Sequence, residues 1–110
     1  MKLVIAVVSH DDANAVIQHL TKGGFSSTKL ATTGGFLMAG NVTILTGVED
    51  GKVEAVIEII RKHSHSRKQI IPAAYPMGGH MGGYSPAPPM EVTVGGATVF
   101  VVDVERFERL

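Results

Sequence analysis

Lys2-Leu-Val-Ile-Ala-Val-Val-Ser9, followed directly by His10-Asp-Asp-Ala-Asn-Ala-Val-Ile-Gln-His-Leu-Thr-Lys22 and Gly23-Gly24, decides the architecture of this chain. The first eight residues are an almost unbroken apolar run rich in valine and isoleucine, the composition of a central strand covered on both faces. In the segment that follows, Ala13, Val16, Ile17 and Leu20 recur at i, i+3, i+4 and i+7, which is one face of a helix. Asp11 or Asp12 is expected to cap that helix through its carboxylate. Gly23 and Gly24 are expected to stop it, because glycine accepts the left-handed conformation at a helix end.

Working outward, Phe25 to Thr32 reads as a second strand, Thr33 to Gly40 as a glycine-punctuated connection and Asn41 to Gly47 as a third strand. Glu49, Asp50 and Gly51 make a second cap region. Val53, Val56, Ile57 and Ile60 then repeat the helical spacing of the first helix. All five prolines lie between Pro72 and Pro89, around Met77-Gly-Gly-His-Met-Gly-Gly83, so this stretch is expected to be a long loop. Met90 to Val94, Gly95-Gly96 and Ala97 to Val104 read as a β-hairpin, because the favoured two-residue turns need positive φ. The order β-α-β-β-α, long loop, hairpin predicts an α+β, ferredoxin-like β-α-β-β-α-β sandwich in one domain spanning 1–110. The final hairpin is expected to extend that sheet or to reach a neighbouring subunit.

Composition narrows the function. At 110 residues with 45% apolar content, the chain has enough for one core, and association would add to the surface it buries. It has no cysteine, which removes disulfides, thiolate metal ligands and cysteine nucleophiles together. Ten basic and ten acidic residues balance, without the basic surplus on which a polyanion grip depends, so no nucleic-acid partner is expected. The apolar run at Leu3 to Val8 is too short to span a bilayer and lacks signal-peptide flanks, so a cytoplasmic protein without a membrane partner is expected.

Several clusters carry possible chemistry. Thr32-Thr-Gly-Gly-Phe36 offers hydroxyls and glycine amides to an anion and a ring to a base, and equally suits a strand connection that simply needs glycine. Asn41 presents an amide able to read an adenine edge, or to satisfy its own turn. Arg61-Lys-His-Ser-His-Ser-Arg-Lys68 places His63 and His65 on one face if extended, with His80 or His10 as further metal ligands. The same basic cluster is accounted for by a favourable interaction with helix-end carbonyls. Ser9, His10 and Asp11 are adjacent in sequence, and a catalytic triad requires convergence in space instead. With no nucleophile standing out, catalysis is not expected.

Longer strings add a resemblance. Lys29-Leu-Ala-Thr-Thr-Gly-Gly-Phe-Leu37, Gly40-Asn41, Gly47-Val-Glu49, Pro76-Met-Gly-Gly79 and Glu91-Val-Thr-Val-Gly-Gly-Ala-Thr-Val-Phe-Val101 closely resemble the PII-like cyclic di-AMP receptor family along the whole chain. That resemblance implies a homotrimer of ferredoxin-like subunits that binds cyclic di-AMP in clefts between subunits. It implies no cofactor and no metal, and a signal passed to an unknown downstream protein partner. Thr33 to Gly40 would be the T-loop and Pro72 to Pro89 an enlarged B-loop. Carried over by motif, the ligand residues are Thr28, Gly35, Phe36, Leu37, Asn41 and Gly47 from one subunit. Phe100 and the C-terminal residues around Arg109 would come from the neighbour or complete the cleft. Three positions depart from the family pattern: Gly24 and Ser26 stand where asparagine and arginine are usual, and Arg109 stands for a glutamine. The substitutions at Gly24 and Ser26 motivate a second reading, a PII-like sensor of ATP or another adenine nucleotide. The histidines motivate a third, a metal-responsive trimer similar to the divalent-cation-tolerance proteins.

Overall fold

The computed structural model describes residues 1–30, 40–71 and 90–110. Among the described residues, six strands and two helices follow one another as β1 (Lys2–Ser9), α1 (His10–Lys22), β2 (Ser27–Leu30), β3 (Asn41–Val48), α2 (Val53–His63), β4 (Arg67–Ile71), β5 (Met90–Val94) and β6 (Ala97–Asp103). A 3-10 turn at Asp50–Lys52 leads into α2. The main sheet has the order β2-β3-β1-β6, with every described pairing antiparallel. This is the mixed α+β, ferredoxin-like arrangement expected from the sequence.

The core lies between this sheet and the two helices. Val4, Ala6 and Val8 of β1 alternate inward with Val42, Ile44 and Val48 of β3, against Ala13, Val16 and Leu20 of α1 and Val56 and Ile60 of α2. Burial of each larger aliphatic side chain contributes on the order of 1.5–3 kcal/mol. The helical spacing seen in the sequence is therefore the spacing of buried positions.

The caps differ in detail from the expectation. Ser9, not Asp11 or Asp12, caps α1: its hydroxyl accepts from the Asp11 amide at 3.2 Å, while both aspartates sit in the first turn. There they meet the positive end of the helix dipole. At the other end the Gly24 amide donates to Thr21 and the Phe25 amide to Leu20, at 3.0 and 2.9 Å, the paired bonds of a Schellman stop. Gly24 has φ +88°, and a Cβ built there meets open space. In the second cap region no side chain caps the helix, and Asp50 instead pairs with the Met1 ammonium at 2.9 Å.

The expected C-terminal hairpin is corrected. β5 pairs with β4, Arg67 opposite Val94 through Ile71 opposite Met90, while β6 pairs with β1. Gly95 and Gly96 do take positive φ, +84° and +85°, as a hairpin turn would require. They use it to turn the chain out of a two-stranded ribbon and into the main sheet. Strand β4 begins at the end of the segment read as a basic cluster, at Arg67 and Lys68, and β6 takes the place of the fourth ferredoxin strand beside β1.

Candidate functional site

Because strand side chains alternate, the residues that do not enter the core line the opposite face of the sheet, which no helix among the described residues covers. Strand register sets four of them in one row: Thr28 on β2 faces Leu45 on β3, Leu45 faces Ile5 on β1, and Ile5 faces Phe100 on β6. Rows on either side add Leu30, Thr43, Val7 and Thr98, and Gly47, Leu3 and Val102. This face is largely apolar. Leu3, Ile5, Val7 and Leu45 are half-buried, whereas Leu30, Phe100 and Val102 are exposed.

Of the ligand residues carried over by motif, Thr28, Asn41, Gly47 and Phe100 all belong to this face, and all are exposed. They do not form one cluster. Thr28 and Phe100 occupy the two edge strands, three strand spacings or roughly 14 Å apart. Asn41 and Gly47 stand at opposite ends of β3, six residues or about 20 Å apart. Thr28 lies near the Gly47 end, and a Cβ built on Gly47 would meet nothing within 4 Å, so the sheet surface is bare there. Asn41 pairs with Ser9, and the neighbouring Gly40 carbonyl accepts from the His10 amide at 3.0 Å. Arg109 lies exposed in the segment after β6, which leaves the sheet where the Val104 amide donates to the Met1 carbonyl at 3.1 Å. Gly35, Phe36 and Leu37, with the rest of Thr32 to Phe36, lie outside the described residues, as do His80 and the segment from Pro72 to Pro89 that the sequence reads as a long loop.

Charge at the Gly47 end is mostly paired. Lys2 bonds Asp103, which raises the lysine pKa, and the N-terminal ammonium holds Asp50 below its ordinary value. Lys29 faces Ile44, a core residue, and so projects from the side of the sheet opposite to Thr28. It is therefore not aimed at the open face.

The segment holding the histidines is not extended at His63. His63 belongs to α2, where its ring stacks on His19 of α1 with centroids 3.7 Å apart, while His65 lies beyond the helix end, so the two share no extended face. Among the described residues no group of three or more His, Asp or Glu side chains is placed to hold a metal ion. Ser9 is engaged as a cap, and His10 is exposed with its Nδ1 4.0 Å from Asp11. A cleft of about 270 Å³ between the end of α2 and the start of β6 is lined by Ile57, Ile60, Arg61, His65 and Val99 among others. It lies on the helix side and contains none of the ligand residues expected from the sequence.

Two features escaped the sequence reading: the open apolar face and the ion pair between Asp12 and Arg67. The signal for the first was present in β1, whose side chains are apolar on both faces although helices cover only one. No local pattern announced the second.

Fold and face together define a ferredoxin-like α+β domain in which, among the described residues, one face of the sheet carries no helix. Among the described residues no helix is long and apolar enough to cross a membrane. The family model described as "Cyclic-di-AMP receptor" matches residues 1–110, and the chain belongs to that family. Its class is therefore signal transduction by cyclic di-AMP binding. A crystal structure of a functionally unknown protein from Pediococcus pentosaceus ATCC 25745 is similar, at 42% identity and TM-score 0.72, over 99% of this chain and 96% of that one.

Proposed function

We propose that this chain is a cytoplasmic cyclic di-AMP receptor that works as a homotrimer, with one ligand cleft at each subunit boundary and the 33–40 and 72–89 segments carrying the signal to a protein partner. The observation that carries this reading is the separation of Thr28 and Phe100. They share one face of the sheet but stand on opposite edges, roughly 14 Å apart. A base stacked on Phe100 is thus far from Thr28 of the same subunit, and a compact site containing both is built most simply from two subunits.

The open face supports the oligomer. A sheet that buries one side against helices and leaves Leu3, Ile5, Val7, Leu45 and Phe100 on the other presents an apolar surface larger than isolated exposed side chains. Its burial between copies would complete the two-sided covering that the composition of β1 calls for. In such a cleft Thr28 and the bare backbone at Gly47 would receive phosphate, Phe100 a base, and Asn41 a polar edge, with Gly35, Phe36, Leu37 and Arg109 contributing from the neighbouring segments.

The departure at Gly24 does not favour a change of ligand. Its positive φ belongs to the helix stop, a conformation that asparagine tolerates better than other side chains. Calorimetric titration with cyclic di-AMP, ATP and cyclic di-GMP tests the reading. Selective binding of cyclic di-AMP is expected, and binding of ATP alone would replace the ligand while keeping the scaffold.

A further inference from the structure

The β4–β5 ribbon stands apart from the body of the molecule. Among the described residues its two strands pack chiefly on each other, and Ile70 and Met90 are exposed. A two-stranded ribbon by itself is marginally stable, so its direction must be set where it joins the body. At that point Arg67, the first residue of β4, reaches α1. Its Nη2 lies 3.2 Å from Asp12 Oδ1 and its Nη1 3.4 Å from Oδ2, a two-pronged contact, and Nη1 also donates to the His65 carbonyl at 3.3 Å. The Asp12 side chain is 11% exposed and the Arg67 side chain 41%.

Gly95, where the chain leaves the ribbon, completes the seat. A Cβ at this position would lie 2.6 Å from both Arg67 Nη1 and the His65 carbonyl oxygen, so the guanidinium occupies space that only glycine leaves free. Both strands of the ribbon are therefore anchored around one guanidinium, β4 by carrying it and β5 by the glycine beneath it.

We propose that Asp12 and Arg67 form a latch that fixes the direction of the ribbon relative to the ferredoxin-like body. They are positioning residues: the pair ties the root of the ribbon to the first turn of α1, and the ribbon carries the two ends of the 72–89 segment. Asp12 lies three residues beyond Ser9, the partner of Asn41, so the latch also stands about one helical turn from the end of β1 that pairs with Asn41. The latch does not depend on the identity of the ligand.

The test uses the full-length, ligand-free protein. Hydrogen exchange is measured for wild type, Asp12→Asn, Arg67→Gln and the double variant. The expected result is exchange faster by roughly tenfold or more in 67–71 and 90–94 in either single variant, with no further gain in the double. The β1 amides should be unchanged. Since the chain has no cysteine, nitroxides placed at Gln18→Cys and Thr93→Cys in spin-diluted samples report the ribbon's direction separately. A narrow distance distribution is expected in wild type, broad distributions in both single variants, and partial narrowing with Arg67→Lys. Unchanged ribbon exchange with an unchanged distance distribution overturns the proposal. So does equal acceleration across ribbon and β1, which would make the pair a contributor to overall stability only.

Discussion

Thr28 and Phe100 lie in the same cross-strand row, linked through Leu45 and Ile5, with one at each edge of the main sheet. They share a face and are kept apart on it, and the account of ligand binding across a subunit boundary rests on that relationship.

Phe100 is 54% exposed, so Phe100→Ala is expected to leave the fold intact. Loss of a base–aromatic stack costs about 1–3 kcal/mol, or roughly 5- to 150-fold in affinity for cyclic di-AMP. Thr28→Ala should also weaken binding. If each cleft takes Thr28 from one subunit and Phe100 from the next, co-refolding the two variants restores some full-affinity clefts. Calorimetry on the mixture checks this, and no recovery would place both residues in one subunit's site.

Ile5 sits in the middle of the open face. Ile5→Glu puts a charge where a second copy is proposed to pack, and a buried unpaired charge is strongly unfavourable. Light scattering should give wild type a mass three times that of the 11.6 kDa chain and the variant a smaller one, with helical content retained. A monomeric wild type would remove the basis for shared clefts.

Much of the fold was legible because it is local. The helical repeats at Ala13 to Leu20 and Val53 to Ile60, and the apolar run of β1, each name their element and its buried side. Pairing is not local, which is why Gly95-Gly96 was misread. Both glycines take the positive φ that a hairpin turn needs, but nothing in their neighbourhood says that β5 will pair with Arg67–Ile71 and β6 with β1. The same limit hid the Thr28–Phe100 row and the Asp12–Arg67 contact, since register and tertiary ion pairs are set by residues far apart in sequence. Of the candidate site, Thr28, Asn41, Gly47 and Phe100 are expected from family resemblance alone, and their separation on the sheet, which only strand register sets, is not legible in the sequence.

His63 offers a pH dependence. Partial burial, with smaller contributions from His19 and Lys62, lowers its pKa below the ordinary 6.5, so the folded state prefers the neutral ring. The unfolded chain then binds the proton more readily. The resulting stability is fully present above about pH 6.5 and is lost as pH falls through and below that value. Thermal melts between neutral and mildly acidic pH should show this loss, and His63→Gln should flatten it.

The two turn glycines should respond differently to substitution. Gly24→Asn is expected to be nearly neutral in a denaturant titration, since the site is open and asparagine accepts positive φ. Gly24→Ala should cost about 1 kcal/mol for the same φ. Gly95→Ala should cost more than Gly24→Ala, because its Cβ also meets the His65 carbonyl.

The central claim is tested most directly by isothermal titration of cyclic di-AMP into the purified protein, with ATP and cyclic di-GMP as controls and the oligomeric state measured on the same sample. The account predicts selective binding of cyclic di-AMP, close to equimolar with subunits, by a trimer. An intact trimer that gives no heat with cyclic di-AMP well above micromolar concentration would contradict it.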